Sequence, residues 1–71
     1  MTIDAVIAEA VGMSNNEDVA YAYLYRQSLN YLTSERFALA EAIERSRELG
    51  QNPSYQRLAK RIRMLASMAN A

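Results

Sequence analysis

Apolar side chains recur at Ile3, Val6, Ile7, Ala10 and Val11, steps of three and four residues that line one face of a helix. Thr2 stands where an N-cap accepts from the first turn, Asp4 suits the positive end of the dipole, and Gly12 follows the last periodic position, where a left-handed cap belongs. A helix over about residues 3–11 follows. Ser14-Asn15-Asn16-Glu17 then has the S-x-x-E spacing of a capping box, with Asn15 or Asn16 as alternative caps. Neither Gly nor Pro occurs from there to Gly50, so the pattern predicts one long helix over about residues 16–49, roughly 50 Å at 1.5 Å per residue. Thr33-Ser34 is the one plausible interruption, since both hydroxyls can cap or bend a helix; two shorter helices meeting there are the alternative. Gly50–Ser54 is the clearest loop, with Gly50 placed to end one helix and Pro53 to begin the next. Tyr55, Leu58, Ile62, Leu65 and Ala69 then form a heptad-like seam, and a helix over about residues 54–69 carries it.

The expected fold is all-α, one helical domain over residues 1–71. A short N-terminal helix and a long central helix are followed by a C-terminal helix packed antiparallel on the central one. A short loop makes the last two helices neighbours. Leu39, Ile43 and Leu49 would face Leu58, Ile62 and Leu65. Glu48 would lie near Gln56 or Arg57, Glu44 near Lys60, and Glu41 near Arg63. Val19–Tyr25 also alternates as a strand would, but a lone strand has no partner elsewhere in the chain.

With 71 residues and neither Cys nor His, the chain has little core to rely on and lacks disulfides, thiolate metal sites and the commonest metal ligand. Self-association is the remaining staple for so small a domain, and the bundle is expected to be completed by dimerisation. The longest apolar run, Val19–Tyr25, is far short of the ~20 residues that span a bilayer. No basic residue precedes the first apolar stretch, so no secretory signal is expected and the expected compartment is the cytoplasm.

Charge is sorted along the chain. Residues 1–25 carry Asp4, Glu9, Glu17 and Asp18 and no base, whereas residues 51–71 carry Arg57, Lys60, Arg61 and Arg63 and no acid. The middle holds Arg26, Arg36, Arg45 and Arg47 against Glu35, Glu41, Glu44 and Glu48. An antiparallel dimer would lay each acidic half along a basic half, and a parallel dimer of such rods would bring like charges together.

Three groups of residues are candidates for function. Tyr21, Tyr23, Tyr25 and Tyr31 make Val19–Tyr25 and its surroundings apolar on nearly every side of a helix, which calls for burial or a second chain. Met64 and Met68, one turn apart, widen the apolar stripe of the last helix, and Met suits adaptable interfaces. Arg57, Lys60, Arg61 and Arg63 fall within seven residues, the first three on one face; they can pair with acids or hold an anion. Glu41, Glu44 and Glu48 share a face, but helical metal sites also place a His three residues after a Glu, so a salt-bridged surface is the expectation. No nucleophile–base set or glycine-rich phosphate loop occurs, and neither enzyme activity nor any cofactor or metal is expected. The expected function is a protein–protein interaction module acting as a homodimer, such as an adaptor, inhibitor or assembly factor, a profile that small phage or plasmid accessory proteins share. The alternative is a nucleic-acid-binding regulator that uses the basic C-terminal helix.

Overall fold

A computed structural model describes residues 2–69, Ala69 by its backbone alone. Four helices follow in order: α1 Ile3–Gly12, α2 Glu17–Leu29, α3 Thr33–Arg45 and α4 Pro53–Ala69. The all-α class stands as expected, but the long central helix does not. It is broken into α2 and α3 at residues 30–32, immediately before the Thr33-Ser34 interruption named as the alternative, so that Thr33 begins α3, and α3 ends at Arg45 rather than at residue 49.

The break is a packing requirement. Ala20, Leu24 and Ser28 form the buried stripe of α2, and Leu39, Ala40 and Ile43 that of α3. On one continuous rod of 3.6 residues per turn the centres of these stripes would lie roughly 100° apart, and neither the ten residues of α1 nor the seventeen of α4 could cover both along that length. Folding at residues 30–32 brings both stripes into one core, within a body whose longest extent is 36 Å. Leu32 takes an extended conformation at φ −72°, ψ 167°. Glu35 accepts from the Leu32 N–H at 3.1 Å, the reach-back half of a capping box whose other half a leucine side chain cannot supply. Arg36 closes the preceding end: its Nε donates to the Ser28 carbonyl at 2.8 Å, satisfying a terminal carbonyl of α2.

The other caps sort the sequence signals. Thr2 Oγ1 accepts from Ala5 N–H at 3.1 Å, as expected. Ser14 does not cap α2; its hydroxyl donates to the Val11 carbonyl at 2.8 Å and closes α1, leaving Asn16 to cap α2 through Val19 N–H. Gly12 is not a left-handed cap but the last residue of α1, and no glycine has positive φ among the described residues. Pro53 opens α4, with Asn52 Oδ1 accepting from Ser54 N–H at 2.9 Å.

Helix directions fix the layout. α4 runs antiparallel to α3, tied by Arg63 to Glu44, and α1 turns back on α2, tied by the Tyr23 hydroxyl donating to Glu9. α2 and α4 run parallel: Asn52 Nδ2 donates to Glu17 at one end, and the Arg61 guanidinium lies over the Tyr25 ring, 4.7 Å from its centroid, two turns further on. α1 and α4 do not touch among the described residues. Tyr55, Leu58, Ala59, Ile62 and Ala66 form the buried stripe of α4. That stripe is turned from the predicted seam, because Leu65 is only half-buried while Ala66 is fully buried; Ala69 of that seam lies outside the described side chains. Each large core side chain, such as Leu24 or Ile62, contributes about 1.5–3 kcal/mol through burial.

Candidate protein-interaction face

The surface of α4 is divided along its length. Arg57, Lys60 and Arg61 are exposed in its first half, and Met64 and Met68 are 64% and 68% exposed in its second. At spacings of three and four residues these five positions make one continuous outer stripe. Beside it, α2 offers Tyr21 and Tyr25 at the groove with α4, then Ala22 and Leu29 further out. Leu29 is 50% exposed and Leu32, in the turn beyond, 75%. Extending the α2–α4 register from Glu17–Asn52 and Tyr25–Arg61 sets Leu29, the last residue of α2, level with Leu65, one residue beyond Met64. Four of the five large hydrophobic side chains that stand out in solvent therefore gather where α2 and α4 end. Val19, at 48%, stands apart near the start of α2.

The opposite end of this face is polar and partly tied together. Hydrogen bonds from Ser54 and Asn52 to Glu17, and the charge of Arg57, hold the Glu17 carboxyl below the usual carboxylate range. Among the described residues the ion pairs are Glu41–Arg45 and Glu44–Arg63. The expected pairings Glu44–Lys60 and Glu41–Arg63 are thus replaced: Arg63 reaches Glu44, and Glu41 pairs one turn along its own helix. Among the described residues Arg57, Lys60 and Arg61 have no carboxylate within ion-pair distance, and Arg57 donates to Ser54 Oγ at 3.3 Å. Arg61 is held against Tyr21 and Tyr25, and hydrogen bonding to Tyr21 followed by the field of Tyr25 raises its pKa further. Its guanidinium is thereby fixed in place on the aromatic edge, a cation–π arrangement.

The sequence-predicted residues divide between two places. Tyr21, Tyr25, Met64, Met68, Arg57, Lys60 and Arg61 come together on the α2–α4 face. Tyr23 points to α1, where burial and then the hydrogen bond to Glu9 push its hydroxyl up to about 12. Tyr31 packs against the core, and Arg63 is spent on Glu44. Leu29 and Leu32 belong to the face although the periodicity does not single them out. A continuous central helix gives them no special exposure, and only the turn at residues 30–32 brings them out.

Two open grooves lie elsewhere. One of about 460 Å³ runs between α1 and α3, lined by Ile3, Ile7, Ala38 and Ala42 with Glu41 and Arg45 at its rim. The other, about 330 Å³, lies on the α1 side of α2 between Met13, Val19, Tyr23 and Arg26. No group of three His, Cys, Asp or Glu that could hold a metal occurs among the described residues, and no described helix is long and apolar enough to cross a membrane. The class defined so far is a small four-helix all-α fold with one face divided into cationic and apolar halves. Compared with protein-family models, curated proteins and solved structures, the chain finds no match.

Proposed function

We propose that the protein is a non-enzymatic protein–protein interaction module that acts as a homodimer, in the manner of an adaptor, inhibitor or assembly factor. The observation that carries this reading is the cluster of Leu29, Leu32, Met64 and Met68 in solvent at one end of the α2–α4 face. Together they expose on the order of 500 Å² of side chain, at the upper range of what a monomer leaves open, and such patches mark interfaces. Sedimentation equilibrium at micromolar concentration tests it. A dimer of twice the 8.0 kDa chain mass is expected, with Met68→Glu shifting it to monomer; a wild-type chain that stays monomeric refutes the reading.

A second reading, a nucleic-acid-binding regulator, is favoured by one observation, the absence of carboxylate partners for Arg57, Lys60 and Arg61. It separates on salt. Binding to a DNA or RNA probe would fall steeply as salt rises, with a slope set by the few phosphates contacted, and Arg57→Glu would abolish it.

A further inference from the structure

The two helices of the exposed face differ in charge, run in the same direction and stand in register. α2 opens with Asp18 on its outer side and closes with Leu29, with Leu32 in the turn beyond; α4 opens with Arg57 and Lys60 and closes with Met64 and Met68. The face therefore carries acid above leucine on one side and base above methionine on the other, at matching heights.

We propose that this face binds a second copy of the chain about a two-fold axis parallel to the helices, so that α2 of each protomer lies along α4 of its partner in the same direction. The proposal rests on the homodimer reading and specifies its surface and symmetry. A two-fold parallel to the helices exchanges the sides of the face and keeps its ends. Asp18 then meets Arg57 of the partner subunit, and Leu29 meets Met64 and Met68 of the partner subunit, each contact occurring twice. A two-fold perpendicular to the helices exchanges the ends and keeps the sides. It sets Arg57 and Lys60 against the partner's Met64 and Met68, and Asp18 against the partner's Leu29, removing charges from water with no counter-charge. Arg26, the one base within α2, lies in the groove beside Met13 and Tyr23, clear of this axis. The exposed leucines and methionines supply on the order of 500 Å² per protomer, and Tyr25 and Arg61 between the two halves extend this toward the ~800 Å² per partner of a standard interface.

This symmetry differs from the antiparallel dimer that charge order along the chain suggests. That expectation treats the acidic and basic segments as opposite ends of a rod. The fold sets α2 and α4 side by side with their charged ends together, and the favourable two-fold turns with them.

The test uses charge exchange on two exposed residues, Asp18→Lys and Arg57→Glu, read by sedimentation equilibrium and circular dichroism. Each variant alone is expected to weaken the dimer about tenfold or more, because both symmetric contacts become like-charged. An equimolar mixture is expected to regain wild-type affinity to within about threefold, since the mixed dimer restores opposite charges at both contacts. A wild-type dimer whose variants are unaffected, or are not rescued by mixing, overturns the parallel two-fold. A monomeric wild type overturns the homodimer reading itself. Should a charge variant lose its helical signal, disulfide trapping decides, because the chain has no Cys of its own. Leu29→Cys mixed with Met68→Cys is expected to form the mixed disulfide; mixed disulfides between Arg57→Cys and Met64→Cys instead would overturn the proposal.

Discussion

Gly50 gives the sharpest stability prediction, and it rests on close approach rather than on conformational freedom. The chain leaves α3 at Arg45 and returns toward α4 through residues 46–52, with the Gly50 N–H donating to the Ser46 carbonyl at 2.8 Å. A Cβ added at Gly50 would sit 2.5 Å from the Glu44 carbonyl oxygen and 2.6 Å from that of Ser46. Both obstacles are backbone atoms, so no side-chain rotation relieves them, and the turn must open by several tenths of an ångström. That opening strains the Gly50–Ser46 hydrogen bond and the bond from Gln56 Nε2 to the Gly50 carbonyl, and it moves Leu49, which is fully buried. Forced overpacking of this kind costs about 1–3 kcal/mol, less the few tenths to one kcal/mol that Ala returns by restricting the unfolded chain. The net loss of about 0.5–2.5 kcal/mol, at about 4–8 °C per kcal/mol for a domain of this size, should lower the Tm of Gly50→Ala by about 2–20 °C. Gly12→Ala is the control: nothing lies within 4 Å of its added Cβ, and it sits in the last turn of α1, so it should be neutral or stabilise by up to about 1 kcal/mol. Thermal and urea unfolding followed by circular dichroism measure both. Equal Tm values for Gly50→Ala and wild type would refute the close-approach argument.

The two other stability predictions concern tyrosine hydroxyls in opposite situations. Tyr23 has its pKa pushed from 10.0 to about 12, first by burial and then by the hydrogen bond to Glu9. A raised folded-state pKa means that the protonated phenol is favoured in the native state. The associated stability is fully present below pH 10 and is lost as pH rises through 12. Screening at this partly exposed hydroxyl leaves about 1–2 kcal/mol, so urea midpoints should fall between pH 10 and 12, and less so in Tyr23→Phe. An unchanged pH profile in Tyr23→Phe would locate the loss elsewhere. Tyr55 is the converse: its side chain is 1% exposed and its hydroxyl has no hydrogen-bond partner. Tyr55→Phe should hold or raise stability by up to about 1 kcal/mol in the same unfolding assay; a loss above 1 kcal/mol would reveal a partner for that hydroxyl.

Much of the fold is legible in the sequence, and the failures have a common cause. Helix content, a break between Gly50 and Pro53, the Thr2 cap and the start of α4 at Pro53 all follow from local chemistry, although the connection is longer than the expected loop and begins at residue 46. The turn at residues 30–32 carries almost no local signal: no Gly, no Pro, and Glu35 three residues after a leucine that can supply only half a capping box. It is dictated by the need to gather Leu24, Leu39 and Ile43 into one core, which no window of sequence contains. The same gap explains the candidate face. Met64, Met68 and the three bases are visible because they share one helix, so periodicity alone places them together. Leu29 and Leu32 are exposed by the turn, and Tyr23 is drawn off to Glu9 by the way α1 packs; neither follows from spacing. The ion-pair register across α3 and α4 fails for a further reason. The connection runs through residues 46–52 and is not the tight turn at Gly50 from which those pairs are counted; Arg63, not Lys60, reaches Glu44.

The turn at residues 30–32 therefore couples fold and surface. Were residues 17–45 one rod, α2 would project beyond α4 and the two would share no face. Glu17 would not reach Asn52, Arg61 would not lie on Tyr25, and Leu29 would not come level with Leu65. Because α2 folds back alongside α4, the acidic first third and the basic last third of the chain end up adjacent and parallel. Only part of that charge is used within the chain: Glu17 is satisfied by Asn52 and Ser54 with the charge of Arg57 nearby, while Asp18, Arg57 and Lys60 stay exposed. A monomer could satisfy those charges with water alone, but Leu29, Leu32, Met64 and Met68 gain nothing from water. In the proposed dimer the apolar half would supply the drive to associate, and the charged half, weak in energy and strong in specificity, would select the direction in which two copies meet.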